Sequence, residues 1–299
     1  MIAALLTAGA GLAGPWIVAW LTRRGSSPRL AIAAQLASLL LAWGGVLAVV
    51  GKLVAPEAGI VQACGIMLTA ILSGQSTLAT TAAAAAYLLL PGRGLGMLAR
   101  TSWAVQRAVV AFRRGGTAED RVFHVPGLST LAVTAGLLRP IVAVNATSFK
   151  ALGREQRSVV LAHERAHARS RHALIDAIAR GLAAGLAPWP GAGVALAEVH
   201  RNLEAAADDR AARTHDRKTV ALTIAEVATG ALPVVGALGA SGWPVWRVER
   251  LLRDRPTTAL RIVLALAALG VSAAFVLGGQ ATLHVLAGAH LIETYCPFY

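Results

Sequence analysis

The sequence predicts a mainly α-helical, integral-membrane fold, with about four transmembrane helices and a polar central domain that carries a small β-sheet. Three observations lead there. The chain of 299 residues is 56% hydrophobic and 14% charged, with a mean hydropathy of +0.60, outside the range of ordinary soluble domains. Long uncharged runs lie toward its two ends. The charge lies between them: residues 91–257 hold 23 Lys and Arg against 13 Asp and Glu, which supplies +10 of the net +13.

Residues 2–21 (IAALLTAGAGLAGPWIVAWL) are uncharged and long enough to cross a hydrocarbon core of ~30 Å at ~1.5 Å per residue. Positive charge follows this run, at Arg23, Arg24 and Arg29, instead of preceding it, so it reads as a retained first span and not as a cleaved signal peptide. Residues 30–50 make a second span. Residues 66–90 make a third, more polar in its middle at Ser73, Gln75 and Ser76, with the Ala-rich run 82–86 read as helix. A last span runs from about Thr258 to Gly279. These runs divide the chain into an N-terminal membrane unit at 1–90, a central domain at 91–257 and a closing span with a short tail at 258–299.

Within the central domain, residues 103–114 (WAVQRAVVAFRR) place apolar and basic positions at helical spacing, as in an amphipathic helix lying on the inner leaflet. Residues 121–125, 130–134 and 140–144 are short, β-branched and separated by Pro126, Gly127, Gly136 and Pro140, the pattern of a small sheet. Lys and Arg concentrate in cytoplasmic loops, so the basic loop 22–29 and the basic central domain face the cytoplasm and the N-terminus faces outward. That rule, together with anionic headgroups, explains the basic charge without a nucleic-acid partner, and no nucleic-acid-binding module is visible. The two cysteines, Cys64 and Cys296, form no Cys-x-x-Cys pair, so a thiolate zinc site or thioredoxin chemistry is not supported. Both fall near the outer face, where a disulfide between them is permitted.

A helical segment begins after Gly153, with Glu155 in its first turn, and runs on through VVLAHERAHARSRHALIDAIAR. His163-Glu164-Arg165-Ala166-His167 within it matches H-E-x-x-H, in which two imidazoles four residues apart leave one helix face and can grip a single Zn²⁺. Glu164 is the candidate catalytic base, able to hold a water activated by the metal and take its proton. A third ligand at 173 after a glycine at 170 is excluded, because those positions hold Ala173 and Ser170; His172 stands one place off and reads as a solvent-facing helix residue. A carboxylate on a later helix is the other source. In EVHRNLEAAADDRAAR (198–213), Glu204 and Asp208 are spaced i, i+4, with three alanines between them that let two helices approach closely. Glu204 is the expected ligand, with His200 one turn earlier as its competitor. Asp208 is expected to orient a ligating imidazole, or else to pair with an ordinary N–H or arginine. Between the two ligand segments, residues 181–197 are uncharged but split by Pro188 and Pro190, which suggests a helical hairpin dipping into the bilayer or buried in a core.

H-E-x-x-H followed by E-x-x-x-D in a multi-span chain resembles two families of membrane gluzincins, the BlaR/MecR-type antirepressor proteases and the HtpX/Ste24-type endopeptidases. Residues 136–144 resemble the strand that in both families precedes the zinc helix and lines the substrate cleft; the resemblance covers 121–213. Three spans, a cytoplasmic protease domain and one closing span resemble the antirepressors more closely. The resemblance implies a gluzincin-like domain in which His163, His167 and Glu204 bind one Zn²⁺ and Glu164 is the base. It also implies a protein substrate, a cytoplasmic DNA-binding repressor in a signalling pathway. The alternatives are a quality-control endopeptidase of the second family and a non-catalytic membrane signalling or transport subunit. Residues 280–299, ending ETYCPFY, are too few for the penicillin-binding sensor that follows the last span in the best-known antirepressors, so direct β-lactam sensing is not implied. Arg210, Arg213 and His215 lie near the ligands in sequence, but no residue is assigned to the oxyanion.

Overall fold

The computed structural model describes residues 2–22, 27–55, 60–228 and 243–253, and it is mainly helical with one small mixed sheet. The N-terminal part is four helices, α1 (Ile2–Thr22), α2 (Pro28–Val54), α3 (Ile60–Leu72) and α4 (Leu78–Gly115). Among the described residues two of them, α2 and α4, are long and apolar enough to cross a membrane. Only 33% of the apolar window of α2 and 17% of that of α4 is buried in the protein. Leu40, Leu53, Leu88, Leu89, Leu95 and Trp103 are exposed. A core helix of a soluble protein hides such a surface, so these outward-facing side chains support membrane association.

Small residues let α1 and α2 touch backbone to backbone. A Cβ on Gly11 would stand 2.4 Å from the Ala42 nitrogen, and one on Gly45 would stand 2.4 Å from the Ala8 Cα. Such contacts hold helices together where lipid gives no hydrophobic drive. One polar tie adds to them: buried Gln35 on α2 donates through Nε2 to the Pro15 carbonyl on α1 at 3.1 Å.

The expected third span at 66–90 is instead two helices. Its polar middle is a chain reversal: α3 stops at Leu72, Gly74 takes φ +71°, and the Thr77 side chain caps α4 by accepting from the Thr80 N–H at 3.2 Å. From Leu78 onward α4 runs 38 residues without a break, despite Pro91, and absorbs the expected amphipathic helix 103–114. Cys64 is exposed on α3, with no disulfide partner among the described residues. Cys296 and the expected last span, Thr258–Gly279, lie outside the described residues.

Four strands follow, β1 (Thr117–Glu119), β2 (Val122–Val125), β3 (Ala132–Ala135) and β4 (Ile141–Asn145), in the order β1-β2-β4-β3. The three expected strands are present; β1 adds a short antiparallel partner to β2. Its three residues are all exposed, so no apolar alternation announced it. β2 and β4 pair in parallel, β3 and β4 antiparallel, which leaves β3 at an edge. Residues 136–140 of the segment expected to line the cleft are a turn, and 141–145 are the interior strand. The edge belongs to β3. Gly136 makes the turn possible with φ +109°, where a Cβ would meet the Arg139 oxygen at 2.8 Å.

Helices complete the molecule: α5 (Ala146–Ala151), α6 (Arg154–Arg169), α7 (His172–Gly185), α8 (Pro190–Ala211), α9 (Arg217–Ala228) and α10 (Pro244–Leu252). The sheet and α6 share a core of Val122, Leu131, Val144, Phe149, Leu152 and Val160. The single helix expected from Glu155 through Arg180 is broken after Arg169, because Arg171 adopts the left-handed region at φ 51° and turns the chain into α7. Helices α7 and α8 then form a hairpin around residues 186–189, packed on α2. Ile32 of α2 meets Ala179, Val199 and Leu203, while Leu39 and Ala42 meet Ala183, Leu186 and Ala195. Trp43 Nε1 donates to the Leu182 carbonyl at 2.9 Å.

Replacement of Gly45 by leucine is therefore expected to force α1 from α2 and to cost about 1–3 kcal/mol. Gly65→Leu, at a position on α3 with nothing within 4 Å, is the control. Thermal unfolding of the detergent-purified protein should show a lower midpoint for the first variant and an unchanged one for the second.

Candidate metal centre

The centre is assembled from four helices, α6, α7, α8 and α10, and one strand, β3. On α6, His163 and His167 lie one turn apart and their Nε2 atoms are 3.0 Å apart. Glu204, from α8, places Oε2 3.5 Å from His163 Nε2 and Oε1 3.5 Å from His167 Nε2. A tetrahedral zinc with bonds of ~2.0 Å holds its ligand atoms ~3.3 Å apart; one ligand atom from each of the three residues lies within 4.8 Å of the others, close enough for a small adjustment to seat one such ion. Among the described residues these three form a group able to hold a metal. The sequence-predicted ligands are thus brought together.

Each imidazole has its other nitrogen occupied. His163 Nδ1 donates to Asp208 Oδ1 at 3.0 Å, which leaves Nε2 directed at the centre and makes Asp208 the orienting carboxylate expected from its spacing. His167 Nδ1 stands 2.9 Å from Nδ1 of His172. His172 is buried and is held down to about 3 by that burial and by His167, so near pH 7 it is neutral and can accept from His167 Nδ1–H. The expected solvent-facing histidine is in fact packed against a candidate ligand, because the break at Arg171 folds α7 back onto α6.

Asp208 is also the partner of a residue that sequence reasoning missed. Arg247, on α10 and 2% exposed, donates from Nε to Asp208 Oδ2 at 2.9 Å and from Nη2 to Oδ1 at 2.6 Å. Its Nη1 reaches Glu204 Oε2 at 3.0 Å. Burial opposes the charge on each carboxylate, but the histidines and Arg247 outweigh it, so Glu204 falls to about 2 and Asp208 lies well below the usual carboxylate range. Nothing in PVWRVERLL (244–252) distinguishes Arg247 from Arg250 in sequence; only the fold brings it to α8.

Glu164 is buried beside His163, with Oε2 2.7 Å from the Thr134 hydroxyl on β3; that hydroxyl also lies 2.8 Å from the Glu164 carbonyl. Burial raises the Glu164 carboxyl above the ordinary range, and the His163 charge and the Thr134 hydrogen bond only partly reverse this. A carboxyl so raised is better matched to proton transfer near neutral pH. Thr134 ties the helix of the motif to the edge strand, a contact that no sequence spacing announces.

Other candidates lie elsewhere. His200 pairs with Asp176 and with Arg180, away from the triad. His215 is bonded to Ser158 at 2.8 Å, Arg213 is exposed, and Arg210 lines a cleft with His172.

Burial works against a charge on His163, yet its bonds to Asp208 and Glu204 raise it to about 9, whereas burial and the His163 charge lower His167 to about 4. At pH 7 the metal-free centre therefore holds one proton, on His163, which a metal must displace. Zinc titration calorimetry in buffers of different ionisation enthalpy should find about one proton released per ion. The affinity should rise about tenfold per pH unit from 7 until pH reaches the value of His163. Removing the second imidazole contact in His172→Ala should weaken zinc binding by roughly 10- to 100-fold, in the range found when such supports are lost.

Residues 119–265 match the family model for peptidase family M48, a stretch just under half the chain that includes strands β2, β3 and β4, both ligand-bearing helices and Arg247. The match supports a membrane gluzincin-type protease family and a metallopeptidase activity. No curated protein and no solved structure gives a significant match.

Proposed function

We propose that this protein is a membrane-embedded, zinc-dependent endopeptidase that cuts a protein substrate at the cytoplasmic face of the cell membrane. The convergence of His163, His167 and Glu204, with Glu164 beside them, is the observation that carries this reading. Zinc held by those three residues supplies Lewis acidity toward a peptide carbonyl and a water. The chain's own groups supply the rest. Glu164 takes a proton from the attacking water and delivers it to the leaving amine. Asp208 and His172 hold the two imidazoles in the orientation that keeps both Nε2 lone pairs available. Arg247 keeps Glu204 and Asp208 ionised in a buried place. Beside Glu164, the outer edge of β3, which pairs with no further strand among the described residues, offers backbone groups to an extended peptide, the geometry of strand addition.

Contacts with α2 support a location at the membrane surface. Helix α7 starts near Ile32 and its hairpin ends near Leu39, Ala42 and Trp43. Leu39 is about 16 Å along α2 from Pro28 at ~1.5 Å per residue, so if α2 crosses the bilayer the hairpin tip dips into it. The basic residues of 22–29 and 91–257 support a cytoplasmic domain. Access is then limited to segments presented near the inner leaflet. Apolar helices ahead of the protease domain support, among such substrates, a transcriptional repressor cleaved in a signalling pathway, as in the antirepressors. The M48 match supports equally a general membrane endopeptidase, which would take unrelated, damaged membrane proteins.

Full-length protein in detergent should cleave itself or casein, and Glu164→Gln should lower that rate at least ~10³-fold while retaining about one zinc per chain. Equal activity in the variant would remove Glu164 from the chemistry. Terminal-amine proteomics of cells expressing wild type and Glu164→Gln separates the two substrate classes: one repressor-derived terminus in the first case, many membrane-protein termini in the second.

A further inference from the structure

A cleft of about 350 Å³ lies behind the metal centre, lined by Arg29, Ile32, Arg169, Ser170, His172, Ile175 and Arg210. Its three arginines come from three elements: the first turn of α2, the last turn of α6 and the last turn of α8. None has a carboxylate partner among the described residues; what sets the three apart is that they line one cleft. Three unpaired guanidinium groups around one cleft repel each other until an anion joins them, and the planar guanidinium suits a phosphate's oxygens. His172, whose Nδ1 is engaged by His167, has no partner at Nε2 among the described residues, so a further donor is available.

The position of the cleft selects the anion. Arg29 begins α2, next to Pro28, and Ile32 one turn later is shared between the cleft and the packing of α7 and α8 against α2. The cleft therefore lies at the end of a candidate span; with α2 crossing the bilayer from the cytoplasmic side, that end is level with the headgroups of the inner leaflet. Its apolar walls are Ile32 and Ile175. A free phosphate would need only the cations; a lipid uses both.

We propose that this cleft binds a phosphate oxyanion presented by the headgroup of an anionic phospholipid, one lipid per chain, held by Arg29, Arg169 and Arg210. The inference rests on the reading of α2 as a membrane span but not on proteolysis. Native mass spectrometry of full-length Glu164→Gln protein in neutral detergent tests it, with phosphatidylglycerol, phosphatidylcholine and inorganic phosphate as separate probes. One phosphatidylglycerol should be retained at least fivefold more than phosphatidylcholine. A triple Arg29→Gln, Arg169→Gln, Arg210→Gln variant should fall to the phosphatidylcholine level. Because three substitutions together can disturb folding, Arg210→Gln alone is measured as well and should retain at least threefold less, while Arg210→Lys, which keeps the charge, should retain more than Arg210→Gln. Equal retention of the two lipids, or unchanged retention in both glutamine variants, would overturn the proposal. Retention of inorganic phosphate without phosphatidylglycerol would overturn the lipid source. Failure of the protease reading would leave the lipid result standing, since the protein measured is already without its base.

Discussion

The constraint on which the structure turns is the burial of carboxylates. Asp208 is fully buried and Glu204 mostly so, on one face of α8, and an unpaired ionised group in such a place is far too costly to keep. The compensation comes from two sides. His163 meets Asp208 from α6, and Arg247 clasps both carboxylates from α10. The charges that make a cation site on α8 are therefore also what brings α6, α8 and α10 together. Removing one partner leaves the others uncompensated, which makes the set a unit in which no member acts alone.

Around that unit, stiffness is supplied by packing of a different kind. Helices α7 and α8 lie along α2, where Gly185 leaves room for the Trp43 ring and a Cβ would come within 2.0 Å of it. Gly94 on α4 and Gly181 on α7 approach each other in the same way. Such backbone contacts let the helices that carry the site lie directly on the apolar ones. The break at Arg171 belongs to the same design: by turning α7 back, it sets His172 against His167 and brings the arginine-lined cleft up to the metal centre.

Much of this was legible in the sequence, for identifiable reasons. The pair His163 and His167 with Glu164 is a contact within one helix, fixed by a period of four residues. Glu204 and Asp208 share a face by the same periodicity. The apolar helices α1 and α2, the three main strands and the α7–α8 hairpin announce themselves by hydropathy, by β-branched runs and by paired prolines. What stayed hidden depends on tertiary approach or on a single backbone angle. Arg247 is one of several arginines on an amphipathic helix, and its pairing partner is 39 residues away. Thr134 looks like any strand threonine. The reversal at 73–77 and the left-handed Arg171 each divide a continuous apolar or helical pattern with little compositional signal beyond a few polar residues, so 66–90 and 155–180 read as single helices.

The central claim is that α6 and α8 present two imidazoles and one carboxylate to a single zinc ion. X-ray absorption at the zinc edge of the purified protein tests this most directly, compared with Glu204→Ala. Four light donors at ~2.0 Å, with the outer-shell signature of two imidazoles and with the pattern altered in the variant, is the result predicted. A spectrum with sulfur donors, or with a single imidazole, or one unchanged when Glu204 is removed, would contradict it.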